Sequence, residues 1–442
     1  MSGRHRPHGP RAKMRAAVPA RMVELTIDSV GARGDGLARL DGDMVFVPYT
    51  VPGDRVLARV EGRRGDGLAA GLVEVVEAGP ARVAAPCPHF GRCGGCALQH
   101  MDEEAYAAWK VDLLRTQLAR QRLGDIEPAP LVRVPPGSRR RATFAFVRRR
   151  GDALVGFNAR ASHAVVDLER CLLLAPELTA VLPALRAVLA ATVPEGGGSG
   201  GGDVVAALTE TGLDLLIEAE ARLDLFDRER LAAFADAADL ARLSWRRPGS
   251  GLVEPIARRR PAVVRFGGVA VEPAPGSFLQ PTKGGELAIT ERVVAAVAVA
   301  DPVADLYAGS GCFSLPLAAA GHSVHAVEGE EGPVRALDAA ARQAALPVAA
   351  EVRDIARRPL LADELRRFQA VVLDPPRAGA AAQAEQLAAA GPPVVVMVSC
   401  NPATLARDLR VLVDGGYRVD SLTPIDQFPW SAHLEAVAVL RR

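Results

Sequence analysis

The chain has 442 residues, 49% apolar and 24% charged, which is too long for one hydrophobic core and predicts two or three domains of a soluble, cytoplasmic protein. A formal net charge of +1 excludes a globally basic nucleic-acid binder, so any nucleic acid has to be met by local patches. Apolar runs such as 394–398 fall well short of the roughly 20 residues of a membrane span, which excludes a membrane partner.

Arginine-rich runs carry little weight by themselves. Lys13, Lys110 and Lys283 are the only lysines among 53 Lys and Arg residues, the mark of a GC-rich coding bias that favours arginine everywhere.

Residues 1–21 carry Arg4, Arg6, Arg11, Lys13, Arg15 and Arg21 without an acid or a leader-like apolar run, and read as a basic disordered arm. Both a nucleic-acid contact and a solvated tail fit it. Residues 22–83 alternate, as in Met44-Val45-Phe46-Val47-Pro48, with glycine breaks at Gly31, Gly34, Gly36, Gly42, Gly53 and Gly62. This predicts a small OB-like β-barrel that either binds oligonucleotide or packs on its neighbours.

A cysteine-rich loop at 87–96 and a helix over 103–121 follow, and a middle domain begins near Arg133. Its clearest strand, 142–147, lies between Arg139-Arg140-Arg141 and Arg148-Arg149-Arg150. Guanidinium groups there suit phosphates and exposed rings suit bases. Alternatively, Phe144 and Phe146 share one strand face and are core. Residues 196–202, glycine apart from Ser199, read as a flexible loop without chemistry.

From about Ala288 the text repeats strand, turn and helix. Strands are expected at 303–307, 323–327, 348–352, 370–373 and 394–399, nearly continuous apolar runs of a doubly wound α/β domain. The first ends in Asp305-Leu306-Tyr307-Ala308-Gly309-Ser310-Gly311-Cys312, where two glycines let the backbone approach a ligand at a helix start. Glu328 closes the second strand about 20 residues later, the place of a ribose-binding acid, although a solvated carboxylate also fits. Asp374-Pro375-Pro376-Arg377 and Ser399-Cys400-Asn401-Pro402 end later strands, so Cys400 sits at the sheet mouth where ligands bind.

These motifs, with Cys87-x5-Cys93-x2-Cys96, Cys171 far downstream, Phe278-Leu279-Gln280, and Phe428-Pro429 leading to His433-Leu434-Glu435, keep one order and spacing over residues 22–442. In this the chain resembles the RNA uracil-5 methyltransferases with an N-terminal TRAM domain. The resemblance implies a Rossmann-like class I methyltransferase domain over 288–442, preceded by the OB-like TRAM barrel (22–83) and an α+β middle RNA-binding domain with the cysteine loop (84–287). It also implies a monomer acting on ribosomal or transfer RNA with S-adenosylmethionine as donor, the cysteine loop leaning towards 23S rRNA.

Uracil C5 is a poor nucleophile, so a thiolate adds to C6 first and makes C5 reactive. The resemblance gives Cys400 that role and Glu435 the removal of the C5 proton. It assigns Gln280, Tyr307, Glu328, Asp354 and Asp374 to the cofactor pocket. Cys312 and Thr282 depart from residues common in the family, where asparagine is usual.

With Cys312 and Cys400 in the α/β domain, Cys87, Cys93, Cys96 and Cys171 remain. Four thiolates suit an iron–sulfur cluster or zinc, and the Cys93–Cys96 spacing is ordinary for zinc. The resemblance favours a structural 4Fe-4S cluster. Disulfides do not suit a chain of reducing compartments. Three other functions stay open: methylation of an exocyclic amine, RNA binding without catalysis, and cytosine-5 methylation.

Overall fold

A computed structural model describes residues 20–195 and 200–442. These form two compact units: one runs to Ala84 and takes in His100–Asp102, and the other comprises Ala85–Gln99 and Glu103–Arg442. Of the basic arm only its last two residues are described, and Arg21 opens a strand and pairs with Asp41 at 2.9 Å.

In the first unit the alternating sequence forms six strands: Arg21–Thr26, Ser29–Val30, Asp35–Leu40, Asp43–Pro48, Arg55–Arg64 and Gly67–Glu77. They make one sheet whose neighbours run first, fifth, sixth, fourth, third, second. A period of two sends Val45, Val47, Val56, Ala58 and Val60 to the buried face with Leu25 and Ile27. Gly36 is sterically required, because a Cβ there would lie 1.9 Å from Thr50 Oγ1. Burial works against the charge of Asp54, but hydrogen bonds from Arg82, Val51 and Gly79 outweigh it and hold its carboxyl below the usual range.

The second unit contains two large sheets. Seven strands run in the order Val165–Asp167, Asp152–Asn158, Arg141–Arg149, Gly201–Thr209, Gly212–Ala219, Arg242–Arg246, Val253–Arg258. Phe144 and Phe146 are buried in its core with Leu185 and Leu189 of the helix Leu182–Thr192, so neither ring is available to stack on a base. Of the glycine run, 196–199 lie outside the described residues. Gly201 and Gly202 are strand residues paired with Val147 and Phe146. A Cβ at Gly202 would meet Glu218 O at 2.0 Å, so close strand approach, not flexibility, accounts for that glycine.

The other sheet has eight strands in the order Val348–Val352, Val324–Glu328, Val303–Leu306, Ala370–Leu373, Val394–Ser399, Glu435–Arg441, Arg418–Asp426, Val132–Arg133. The first five are parallel and Glu435–Arg441 runs antiparallel between its neighbours. Val132–Arg133, from the segment expected to belong to the middle domain, pairs with Arg418–Asp426 in this sheet. Likewise Leu114 and Leu118 of the helix Glu103–Arg120 share a core with Leu405 and Leu409. Both segments are apolar on one side, and the α/β sheet is what buries them. Among the described residues no helix is long and apolar enough to cross a membrane.

Candidate active site

The carboxyl ends of the parallel strands meet at one edge. Beyond Val303–Leu306 the chain turns at Tyr307, whose φ of 64° is unfavourable for a side chain, and continues through Gly309 and Gly311 at φ 53° and 96°. A Cβ at Gly311 would press on Leu337 Cδ1 at 2.5 Å, whereas Gly309 faces open space. Glu328 is not a free strand-end acid: its two oxygens accept from Gly309 N and Glu330 N, each at 3.0 Å. Burial, then Asp408, Asp354 and Glu328, push the Tyr307 phenol up to about 12. Asp354 lies in the turn after Val348–Val352, half exposed, where it accepts from Arg357 N at 3.2 Å.

Asp374 follows the Ala370–Leu373 strand and Cys400 follows Val394–Ser399. The antiparallel register that pairs Ser399 with Ala436 puts Glu435 opposite Cys400. Glu435 is 3% exposed. Gln280 precedes the helix Lys283–Val297, and its Nε2 donates to Asp374 Oδ2 at 3.2 Å. A residue that the sequence reading missed completes the set: Gln427 Nε2 donates to Gln280 Oε1 at 2.8 Å and to Glu435 Oε2 at 3.0 Å. Its one visible signal was its place directly before Phe428-Pro429.

This hydrogen-bonded line joins the partly exposed Asp374 to the buried Glu435, and neither forms an ion pair with a described residue. Burial raises Asp374 far above the carboxylate range, and burial with Asp374 nearby raises Glu435, against the hydrogen bond from Gln427. Burial, then Glu435 and Asp374, push the Cys400 thiol up to about 11, with the Arg377 guanidinium pulling the other way. Cys312 is held well above the ordinary thiol range by burial first and then by Glu286. Thr282 is buried and caps the helix Lys283–Val297 by accepting from Gly285 N at 3.0 Å, so its hydroxyl is already used.

A cavity of about 600 Å³ opens at Cys400, lined among others by Arg139, Arg141, Arg377, Phe428, His433, Gly94, Gly95 and Cys171. Of the first predicted arginine run, Arg139 and Arg141 line this cavity. Arg140 instead pairs in the interior with Glu286 and donates to Gln280 O at 3.1 Å.

The residues from Asp426 to Glu435 form a strap across the site, held from below by the helix Glu103–Arg120. Lys110, fully buried, donates to Asp426 Oδ1 at 2.9 Å and to His433 O. Tyr106 Oη donates to Asp426 Oδ2 at 2.7 Å and accepts from Trp430 N at 2.8 Å. Ala97 N and Leu98 N donate to Trp430 O at 2.8 and 3.1 Å. A buried pair such as Lys110–Asp426 is worth little against apolar packing, but removing one partner strands the other charge.

The four remaining cysteines are free and lie near one another. Burial first, then neighbouring thiols among the four, raise Cys93, Cys96 and Cys171, Cys96 to about 12. Backbone N–H groups nevertheless point at sulfur: Gly95 N donates to Cys93 Sγ at 3.4 Å, and Leu173 and Leu174 favour the thiolate of Cys171. Among the described residues no three His, Cys, Asp or Glu side chains, the set Cys87, Cys93, Cys96 and Cys171 included, converge as the shell of a metal ion.

Parallel strands in this order, closed by one antiparallel strand and carrying a glycine turn and an acid at adjacent strand ends, define a Rossmann-like class I methyltransferase fold. Residues 270–442 match the family model of tRNA (uracil-5-)-methyltransferases, and residues 20–65 match the TRAM domain. An uncharacterized RNA methyltransferase of Brucella melitensis is 45% identical over 95% of this chain and 98% of its own. The 23S rRNA (uracil(1939)-C(5))-methyltransferase of Halomonas elongata is 36% identical over 100% of this chain and 94% of its own. The crystal structure of the Pyrococcus abyssi tRNA (uracil-54, C5)-methyltransferase with S-adenosyl-L-homocysteine has a TM-score of 0.73 and 24% identity. That match covers 95% of this chain and 100% of that one, a likeness of fold. The chain belongs to the family of S-adenosylmethionine-dependent RNA (uracil-5-)-methyltransferases that carry a TRAM domain.

Proposed function

We propose that the protein methylates C5 of a uridine in structured RNA, 23S rRNA in preference to tRNA, through a covalent bond between Cys400 Sγ and C6. The observation that carries this reading is that Cys400 lines an arginine-lined cavity one step beyond the Ser399–Ala436 pair, which sets it against the buried Glu435.

A flipped-out uridine with its phosphates on Arg139, Arg141 or Arg377 would present C6 to Cys400. Sulfur adds to C6, the electron pair moves to C5, and C5 takes the methyl. The C5 proton then passes to Glu435 as the C6–S bond breaks and the thiolate leaves. Arg377 is the cation that favours the thiolate of Cys400. Glu435 is suited to proton uptake because burial raises its proton affinity.

Gln280, Tyr307, Glu328, Asp354 and Asp374 would hold S-adenosylmethionine, which supplies the methyl on a positive sulfonium. The fit rests on the open face of Gly309 and on the Asp374 carboxyl, which has no ion pair among the described residues. The preference for ribosomal RNA draws on the Halomonas relative, named for that substrate, and on the cysteine loop.

For Cys87, Cys93, Cys96 and Cys171 the proposal is a structural 4Fe-4S cluster. Four thiols near enough to raise one another's proton affinity supply the ligand number of such a cluster. Protein purified without oxygen is expected to contain iron and acid-labile sulfide in equal amounts; zinc without sulfide would overturn the cluster.

The reaction is tested with labelled S-adenosylmethionine and undermodified total RNA, digested to nucleosides. Label is expected in 5-methyluridine of the 23S fraction. Label in the tRNA fraction alone would reverse the substrate preference, and label in no nucleoside despite RNA binding would leave a non-catalytic RNA binder.

A further inference from the structure

Gln427 is 1% exposed and connects the two halves of the site. Its polarity is dictated from the far end. A carboxyl oxygen that carries no proton only accepts, whereas an amide donates from one end and accepts at the other. Asp374 therefore draws the NH2 of Gln280, at 3.2 Å, which leaves the Gln280 carbonyl facing Gln427. Gln427 has to answer with its own NH2, and that same nitrogen also covers Glu435 Oε2. In this orientation Gln427 Oε1 is buried without a hydrogen-bond partner among the described residues, a penalty the surrounding bonds must outweigh.

Resting on the reading of Glu435 as acceptor of the C5 proton, we infer that Gln427 is a positioning residue that occupies Glu435 Oε2, leaves Oε1 to take the proton, and ties the base to Asp374 through Gln280. As the C5–H bond breaks, its electron pair closes the C5–C6 double bond. The C6–S pair returns to Cys400, and the proton passes to Glu435 Oε1. Because Asp374 holds the direction of the line, the base cannot turn its free oxygen away without breaking its hydrogen bond to Gln427, which Gln280 in turn holds in place.

The charged and titratable groups around Glu435 supply no substitute. Asp374 and Cys400 face it and oppose its charge. Arg377 acts on Cys400, His433 lies on the same strap, Lys110 is taken by Asp426 below it, and Arg140 by Glu286 behind Gln280. Among the described residues, Gln427 is the sole hydrogen-bond donor to the Glu435 carboxylate.

The test is single-turnover methylation by full-length Gln427→Met, with Gln427→Leu as a second variant lacking the donor, across a pH series. Loss of a hydrogen bond to the charged form raises the proton affinity of the carboxylate, so it is protonated over more of the neutral range. The methylated Cys400–RNA adduct is expected to form, which also reports a folded site. It should decay about tenfold more slowly at neutral pH and regain the wild-type rate about one pH unit higher, as a charge-assisted hydrogen bond implies.

Adduct decay with the wild-type pH profile would overturn the inference. So would failure of both variants to form adduct at any pH, which would give Gln427 a role in building the cofactor pocket instead. Glu435→Gln in parallel separates the two levels: no persistent adduct in that variant removes the proton-acceptor reading itself, whatever Gln427 does.

Discussion

Cys400→Ala is expected to lower methyl transfer by at least about 10⁴-fold while leaving the affinity for S-adenosylhomocysteine unchanged. Without sulfur on C6, the C5 carbon has no electron pair to offer the methyl group, and no other described residue can replace the thiolate. The other cysteine of the α/β domain, Cys312, has its thiol pushed up by burial and is not among the residues lining the cavity at Cys400. Labelled cofactor reports the transfer, and calorimetric titration reports the binding. Turnover near the wild-type rate would sink the covalent mechanism and favour methylation of an exocyclic amine, chemistry that needs no nucleophile on the enzyme.

The second large effect is accumulation in place of loss. Glu435→Gln is expected to methylate once and stop, trapping protein on RNA as a band that survives denaturing electrophoresis and carries the methyl label. Glutamine preserves the shape but cannot accept the C5 proton, so elimination stalls after transfer. Absence of the band, with transfer otherwise proceeding, would remove Glu435 from this role. The wild-type enzyme carries the same logic in its pH dependence. Burial and Asp374 push Glu435 up to about 8, and the base must be deprotonated before it acts. Adduct breakdown should therefore accelerate as pH rises through that value, and fall as pH drops below it.

How far the fold was legible depended on what buries each segment. The strands ending at Leu306, Leu373 and Ser399 are buried throughout in the parallel part of the sheet, and their nearly continuous apolar text identified them, as it did the partly exposed edge strand Val348–Val352. Arg418–Asp426 went unread because its first half is mostly exposed and a register irregularity between Val419 and Ser421 breaks the alternation. For Phe144 and Phe146 the strand was evident but its partner layer was not, since no local pattern says whether a face meets a helix or solvent. Val132–Arg133 and the helix Glu103–Arg120 were grouped with the middle domain by proximity in sequence, yet the α/β sheet is what covers them.

The site divided along the same line. Residues in dense local motifs, such as Cys400 and Asp374, could be picked out one by one. Gln427 could not, because its significance comes from neighbours at 280 and 435 that only the fold assembles. Lys110 was equally silent: a lysine on an exposed-looking helix reads as solvated, and the acid that receives it lies 316 residues away.

That separation bears on when the protein becomes an enzyme. The helix and loop residues that grip the strap, Ala97 to Lys110, precede the strap residues they hold by at least 316 positions. During synthesis from the N-terminus the early segments wait, fully translated, for a partner that has not emerged. Closing so long a loop is among the slow steps of folding. The proposed proton acceptor, Glu435, therefore emerges long after the segments that hold its strap, and a chain not yet extended to it cannot complete the proposed turnover.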